Sequence, residues 1–255
     1  MFDLTGHVAI ITGGNGGIGL SFAKGLMRSG ASVALWGRNA QKNQNALDTL
    51  AELGEFSGTA KAYVCDVTDV YQVNSAFSRT LEDFDKVDSC FANAGGAGVR
   101  GMLHQTSPEN WATVVDLNLN SVVNTFRPTI AHMLERGQGC KLIVTSSIAS
   151  MRGTPFRAGY ATTKAAVIGL TRSLAVEVGQ QGITANALLP GYVESDLTVD
   201  TPQAFKDGAK RRACLGRVGC LEDMEGVAVF MASQHSNYMT GHGLVMDGGH
   251  TIHPI

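Results

Sequence analysis

Short runs of consecutive apolar residues alternate along the chain with longer stretches whose apolar positions recur every three or four residues. The short runs are Val8–Ile11, Val33–Trp36, Ala62–Cys65, Val87–Phe91, Leu142–Thr145, Thr184–Leu188 and Leu244–Met246. Because they are apolar at successive positions, they read as strands covered on both faces. Between them, helical periodicity predicts helices over about 18–29, 40–53, 70–83, 109–135, 160–179 and 223–232. Strands and helices alternating in this way predict an α/β fold, a doubly wound seven-stranded parallel sheet with helices on both faces. The seven strands take up residues 1–255, so the chain reads as one domain.

Local signals sharpen some boundaries. Ser107 followed by Pro108 is a helix start, with a capping hydroxyl and a proline at the first helical position. The long helix that follows contains Pro128, which should kink it. Residues 192–222 are the least regular part and read as a flap over the sheet edge.

The first strand runs into Thr12-Gly13-Gly14-Asn15-Gly16-Gly17-Ile18-Gly19 and then a helix. Glycines let the backbone turn tightly and approach a pyrophosphate, which the helix N-terminus attracts. No Lys-Ser or Lys-Thr follows the last glycine, which excludes a nucleotide-triphosphate P-loop. This is the Rossmann arrangement for a dinucleotide. Such sites usually carry an acidic residue about 20 positions later to hold the ribose 2′-hydroxyl. Here the second strand ends on Gly37 and Arg38. Loss of the carboxylate leaves room for a 2′-phosphate, which a guanidinium can grip, so NADP(H) is favoured and NAD(H) is the alternative.

Tyr160 and Lys164 stand four apart at a predicted helix start and share one face. A phenol near an ammonium is drawn toward phenolate, into the range useful for proton transfer. Ser147 ends an apolar strand, at the edge where open α/β sheets bind ligands, and can hold a substrate oxygen beside that phenol.

Composition narrows the classes. The net charge is −2, so nothing draws nucleic acid to the chain. No apolar run reaches the 18 or so residues of a membrane helix. Cys65, Cys90, Cys140, Cys214 and Cys220 include no C-x-x-C pair, and they read mostly as small buried residues in a reducing, cytoplasmic setting. The histidines have no metal-ligand spacing, and no G-x-S-x-G elbow occurs.

Taken together, Thr12 to Gly19, Asn93-Ala94-Gly95, Asn118, Ser147, Tyr160-x-x-x-Lys164, Pro190-Gly191 and the Asp247-Gly-Gly tail closely resemble the single-domain short-chain dehydrogenase/reductases over nearly the whole chain. The resemblance implies a catalytic set of Asn118, Ser147, Tyr160 and Lys164. Tyr160 would exchange a proton with a carbonyl or alcohol, and Lys164 would lower its pKa and hold the nicotinamide ribose. Ser147 would orient the substrate oxygen, and Asn118 would anchor a water in a proton relay. It implies a cofactor site of Gly13, Asn15, Gly16, Gly17, Ile18, Gly19, Arg38, Asp66, Val67, Asn93, Ala94, Gly95, Pro190, Gly191, Val193 and Ser195, joined by Tyr160 and Lys164. Within it, Asp66 would meet the adenine amino group, and Val193 and Ser195 the nicotinamide carboxamide. A homotetramer is also implied.

The chain departs from the family pattern in places. Ala92 fills the place of a frequent asparagine, Ser195 that of a threonine, and Asn15-Gly16 that of a basic residue in many NADP users. Cys214 replaces a frequent proline, and Gln181 stands where carrier-protein reductases often have a basic docking residue. Ala149, Met151, Tyr192, Leu197 and His104 are candidate substrate-pocket walls. The leading expectation is an NADP(H)-dependent oxidoreductase interconverting a ketone and a secondary alcohol. The alternatives are a 3-oxoacyl carrier-protein reductase and a dinucleotide sensor without chemistry. The basic run Lys206, Lys210, Arg211 and Arg212 reads as a solvated helix face, with an acidic partner as the other reading.

Overall fold

The computed structural model describes residues 2–195 and 198–252. Seven parallel strands form one sheet in the order β3-β2-β1-β4-β5-β6-β7. They are β1 (Val8–Thr12), β2 (Ser32–Gly37), β3 (Ala60–Val64), β4 (Ser89–Ala92), β5 (Lys141–Thr145), β6 (Thr184–Pro190) and β7 (Gly243–Met246). Strand order reverses between β1 and β4, so a crevice opens at their carboxyl ends, beyond Thr12 and Ala92.

Residues alternate between two cores, because successive side chains on a strand point to opposite faces. Ala9, Ile11, Val33 and Leu35 pack on one side with Phe22 and Leu26 of α1 (Gly17–Arg28), Leu50 of α2 (Ala40–Ala51) and Ala228 of α8 (Glu225–Ala232). Ile10, Ala34 and Trp36 pack on the other. There they meet Phe77 of α3 (Val70–Phe84), Phe126 of α5 (Ser121–Arg136) and Val167 of α6 (Ala158–Val178). Burial of each strand on both faces explains the unbroken apolar runs in the sequence.

The predicted 109–135 helix is two helices. α4 (Pro108–Val115) is capped by Ser107, whose hydroxyl accepts from the Asn110 N–H. A π turn at Asp116–Asn120 then leads into α5. α5 runs through Pro128 without interruption, so the departure from α geometry lies at the π turn. The 192–222 stretch is more regular than its sequence predicts: it contains α7 (Gln203–Arg212), and Val193 bridges to Gly219. Among the described residues no helix is long and apolar enough to cross a membrane.

Candidate active site

The glycine turn is built for close approach. A Cβ on Gly14 would lie 2.9 Å from the Ile11 carbonyl oxygen, and one on Gly13 would lie 3.1 Å from Ala94 Cα. A Cβ on Gly19 would meet Asn93 Nδ2 at 2.7 Å. Gly13 and Gly17 have φ of +64° and +50°, conformations that favour glycine. Above Gly17 nothing stands nearer than Ser195, 3.7 Å from an added Cβ. An open cradle at the N-terminus of α1, with the start of the flap over it, fits a dinucleotide's pyrophosphate.

Strand ends β1, β4 and β5 are tied together beside this cradle. Thr12 Oγ1 accepts from the N–H of Asn93 and of Ala94, each at 3.0 Å. Asn93 Nδ2 donates to the Thr12 carbonyl at 3.1 Å, while its Oδ1 accepts from Thr145 Oγ1 at 3.0 Å. The Asn93 carboxamide is thus a clamp between strands. Thr12, which opens the glycine turn, and Thr145 both belong to the site's scaffold; Thr145 carries no signal of its own in the sequence, where it is a threonine ending a strand.

Arg38 and Asp66 lie together at the ends of β2 and β3. The Arg38 side chain is 66% exposed and stands 3.7 Å from the Asp66 carboxylate. Asp66 Oδ1 also accepts from the Thr68 N–H and hydroxyl, at 3.0 and 2.7 Å. Burial works against the Asp66 charge, but the Thr68 bonds and Arg38 hold the carboxyl below its usual range. Val67 is buried, and its carbonyl accepts from Asn124.

At the carboxyl end of β5, Ser147 starts a 3-10 turn, and its Oγ accepts from the Ala149 N–H at 3.1 Å. Tyr160 stands on the first turn of α6, with Lys164 one turn further on. Lys164 is 5% exposed; its ammonium donates to the Thr145 carbonyl at 2.8 Å and lies 5.8 Å from the Tyr160 ring centroid. Burial alone pushes it down to about 8. The phenol also shifts, but not as its spacing from Lys164 suggests. Burial pushes Tyr160 up, opposed first by a hydrogen bond with Ser147 and then by the Arg157 charge. Taking a hydroxyl out of water penalises its anion, and here that outweighs nearby positive charge.

Arg157, which the sequence does not mark out, stands at the N-cap position of α6 and donates to the Ala97 carbonyl at 3.0 Å and to the Gly98 carbonyl. It joins the loop after β4 to the catalytic helix; a lone arginine in a loop gives no sign of this.

Asn118 lies in the π turn, fully buried. Its Oδ1 accepts from the Gly96 N–H at 2.9 Å and its Nδ2 donates to the Gly96 carbonyl at 2.8 Å. These two bonds fix the loop over Lys164, and one N–H and one oxygen lone pair of the carboxamide lie beyond them. A Cβ on Gly95 would come within 2.8 Å of Asn118 Oδ1 and 3.3 Å of Lys164 Nζ.

Strand β6 ends at Pro190, and the Gly191 N–H donates to the Met246 carbonyl at 2.8 Å. Val193 is buried beside Gly219. The candidate pocket walls stand on separate elements. Tyr192 lines a cavity of about 270 Å³ with Ala213, Leu215, Met224 and Met246, between α7 and the Gly248–Gly249 turn. Ala149 lies on the Ser147 turn, whereas Met151 is 58% exposed and His104 sits on an exposed turn, Leu103–Gln105. Leu197 lies outside the described residues. Three cysteines, Cys65, Cys90 and Cys140, are buried as expected; Cys214 and Cys220 are exposed.

Comparison with known proteins agrees with this geometry. The family model described as enoyl-(acyl carrier protein) reductase matches residues 13–251. A 3-oxoacyl-[acyl-carrier-protein] reductase of Chlamydia trachomatis is 35% identical over 246 residues, 96% of this chain and 98% of that protein. The solved structure of a gluconate 5-dehydrogenase from Burkholderia cenocepacia, in complex with NADP and tartrate, superimposes with a TM-score of 0.90 at 34% identity. That match covers 98% of this chain and 97% of the other. A 3-ketoacyl-(acyl-carrier-protein) reductase from Brucella melitensis, complexed with NADH, gives 0.90 at 29% identity, covering 98% of this chain and 100% of the other.

Proposed function

Because the chain belongs to the short-chain dehydrogenase/reductase family, we propose that it is an oxidoreductase interconverting a ketone and a secondary alcohol, with NADP(H) favoured over NAD(H). The observation that carries this reading is the cluster of Ser147, Tyr160 and buried Lys164 at the sheet edge, beside an open glycine cradle. A dinucleotide sensor needs the cradle but not a proton donor.

The cofactor supplies or takes the hydride when bound. The turn of Gly13, Asn15, Gly16, Gly17, Ile18 and Gly19 would hold the pyrophosphate, and Arg38 the 2′-phosphate. Asp66 and Val67 would border the adenine. Asn93, Ala94 and Gly95 would wall the middle of the crevice, and Pro190, Gly191, Val193 and Ser195 would meet the carboxamide. Ser147 and Tyr160 hydrogen-bond the substrate oxygen. In reduction Tyr160 would give its proton to the carbonyl oxygen; in the reverse direction it would take the alcohol proton. Burial keeps the phenol protonated at neutral pH, which suits the donor role. One N–H of Lys164 is held by Thr145. Its other two are available to ribose hydroxyls, and its charge lowers the cost of the phenolate left behind. Asn118 and Arg157 keep the loop after β4 in place.

Supporting a homotetramer, α6 presents Ala165, Gly169, Ser173 and Val176 to solvent at helical spacing, and edge strand β7 is only half-buried. Free cysteines support a reducing, cytoplasmic setting. The 192–222 segment is proposed as the flap, opening at Gly191 and covering substrate. A second reading, a 3-oxoacyl carrier-protein reductase, is favoured by the exposed bases Lys210, Arg211 and Arg212 on α7.

The test follows NADPH and NADH oxidation over cyclic ketones, keto-sugars, diketones and acetoacetyl thioesters. Selective NADPH consumption is expected, and preference for thioesters would select the second reading. Tyr160→Phe is expected to lower turnover by about 10³-fold while NADPH still binds. Full turnover in that variant would overturn the mechanism, and binding without turnover on any substrate would favour a sensor.

A further inference from the structure

Gly37, the last residue of β2, occupies the position where a carboxylate would select a 2′-hydroxyl. The space its side chain would need is already filled. A Cβ there would stand 2.6 Å from Asn15 Cγ and 2.5 Å from Asn43 Oδ1, and closer still to Asn15 Nδ2. Asn15 belongs to the glycine turn and Asn43 to the first turn of α2. They are joined by a hydrogen bond of 2.7 Å from Asn15 Nδ2 to Asn43 Oδ1.

Asn43 is 4% exposed. Its Nδ2 donates to the Gly37 carbonyl at 3.0 Å and to the Tyr63 carbonyl at 3.2 Å. One carboxamide thus ties the end of β2, the end of β3 and the glycine turn. Both of its N–H groups and its acceptor are committed to these three segments, so its orientation is fixed. Rotating Asn43 away would give up both of these buried bonds, although the Gly37 carbonyl would keep the Cys65 N–H at 3.2 Å. Asn15 is less buried, and its placement over Gly37 depends on Asn43.

We infer that Asn43 is a specificity-determining positioning residue. It holds Asn15 across Gly37 and thereby occupies the volume from which an acidic side chain would have to grow. The dinucleotide preference is then set by four residues: Gly37 and Arg38 create the phosphate site, and Asn15 with Asn43 locks the carboxylate out. This rests on the reading that residues 12–19 and 37–38 hold NADP(H).

The experiment measures NADPH and NADH dissociation constants by nicotinamide fluorescence on the full chain, with thermal melts to confirm folding. Gly37→Ala adds only the Cβ and is expected to weaken both dinucleotides about tenfold, with Asn15→Gly/Gly37→Ala recovering part of each loss, since Asn43 Oδ1 still stands 2.5 Å from that Cβ. Gly37→Asp alone is expected to gain no NADH affinity. Asn43→Ala/Gly37→Asp is expected to bind NADH at least about tenfold tighter than Gly37→Asp. Asn15→Gly/Gly37→Asp supplies the same comparison with the buried carboxamide intact. The inference is overturned by a Gly37→Asp protein that already prefers NADH at wild-type affinity, since Asn15 would then swing aside freely. It is equally overturned if neither double variant gains NADH affinity. A wild-type protein that prefers NADH would bring down the phosphate reading instead, while the alanine pair would still report whether the space is closed.

Discussion

Two lysines are buried at opposite ends of strand β5 and titrate alike. Lys141 opens the strand, and Lys164 donates to the carbonyl of Thr145, which closes it. Burial pushes both ammonium groups down to about 8. Their surroundings differ. Lys141 donates to Asn237 Oδ1 at 2.5 Å and pairs in register with Ser89, which bonds His7 at 2.9 Å. Beside them Asp88 takes the Val8 N–H at 2.9 Å, Arg136 at 2.9 Å and Lys86 at 3.1 Å. These polar groups are matched to one another, although the buried Thr184 Oγ1, in register with Lys141, has no hydrogen-bond partner among the described residues. Lys164 instead faces a phenol, a serine hydroxyl bonded to it and a loop held back by Asn118, next to a cradle with no side chains in it. A perturbed lysine reports burial; a proton-donating phenol and an open cradle beside it mark a site.

Substituting each lysine tests that difference most strongly. Lys164→Met is expected to lower kcat/KM by about 10²–10⁴-fold with the fold intact by circular dichroism. Lys141→Met is expected to leave kcat/KM within about twofold, since it touches nothing at the catalytic edge. Equal losses would erase the distinction.

A second effect separates the lysines by pH. NADPH affinity should weaken as pH rises through about 8, where Lys164 loses its charge, and this step should be absent from Lys164→Met in binding titrations. For stability the sign is the opposite. The folded values near 8 lie below the ordinary 10.5, so in that window the unfolded chain binds more protons and stability gains as pH rises. Urea midpoints at pH 8 and pH 10 should therefore rise more in wild type than in Lys141→Met, by on the order of 1–3 kcal/mol. Taking the difference between proteins cancels other groups, such as the buried thiols of Cys65 and Cys90, which burial pushes up to about 12.

The smallest expected effect is on the acid side. Burial pushes His7 down to about 4, against the pull of Asp88. Its neutral form is the folded one, so its contribution is present above pH 6.5 and is lost as pH falls toward 4. His7→Gln should remove that part of the acid sensitivity, on the order of 1 kcal/mol between pH 7 and pH 4.5 in denaturant melts.

Sequence alone carried the sheet, because both-face burial writes itself as unbroken apolar runs and the glycine turn announces the first crossover. It also carried Ser147, Tyr160 and Lys164, whose spacing is a local property of one helix and one strand end. What it could not carry depends on distant partners. That the Asn118 carboxamide also holds Gly96, 22 residues away, has no signature in the sequence. Arg157 and Asn43 act through backbone carbonyls, which have no residue identity to read. The direction of the Tyr160 shift turns on how much water the fold removes, and that is set by elements far along the chain.

The π turn at Asp116–Asn120 has a consequence for how this gene can change. A π turn holds one residue more than a regular helix needs, and each residue rotates an α-helix by about 100°. Deleting a single codon from the turn would be accommodated by an ordinary continuous helix, with no broken backbone bonds. The same deletion would rotate Val122, Phe126 and Met133 relative to α4 and pull Asn118 off Gly96. A lesion that looks mild to the helix would be severe for the enzyme, so lineages that keep activity should keep their length here even where the residues drift.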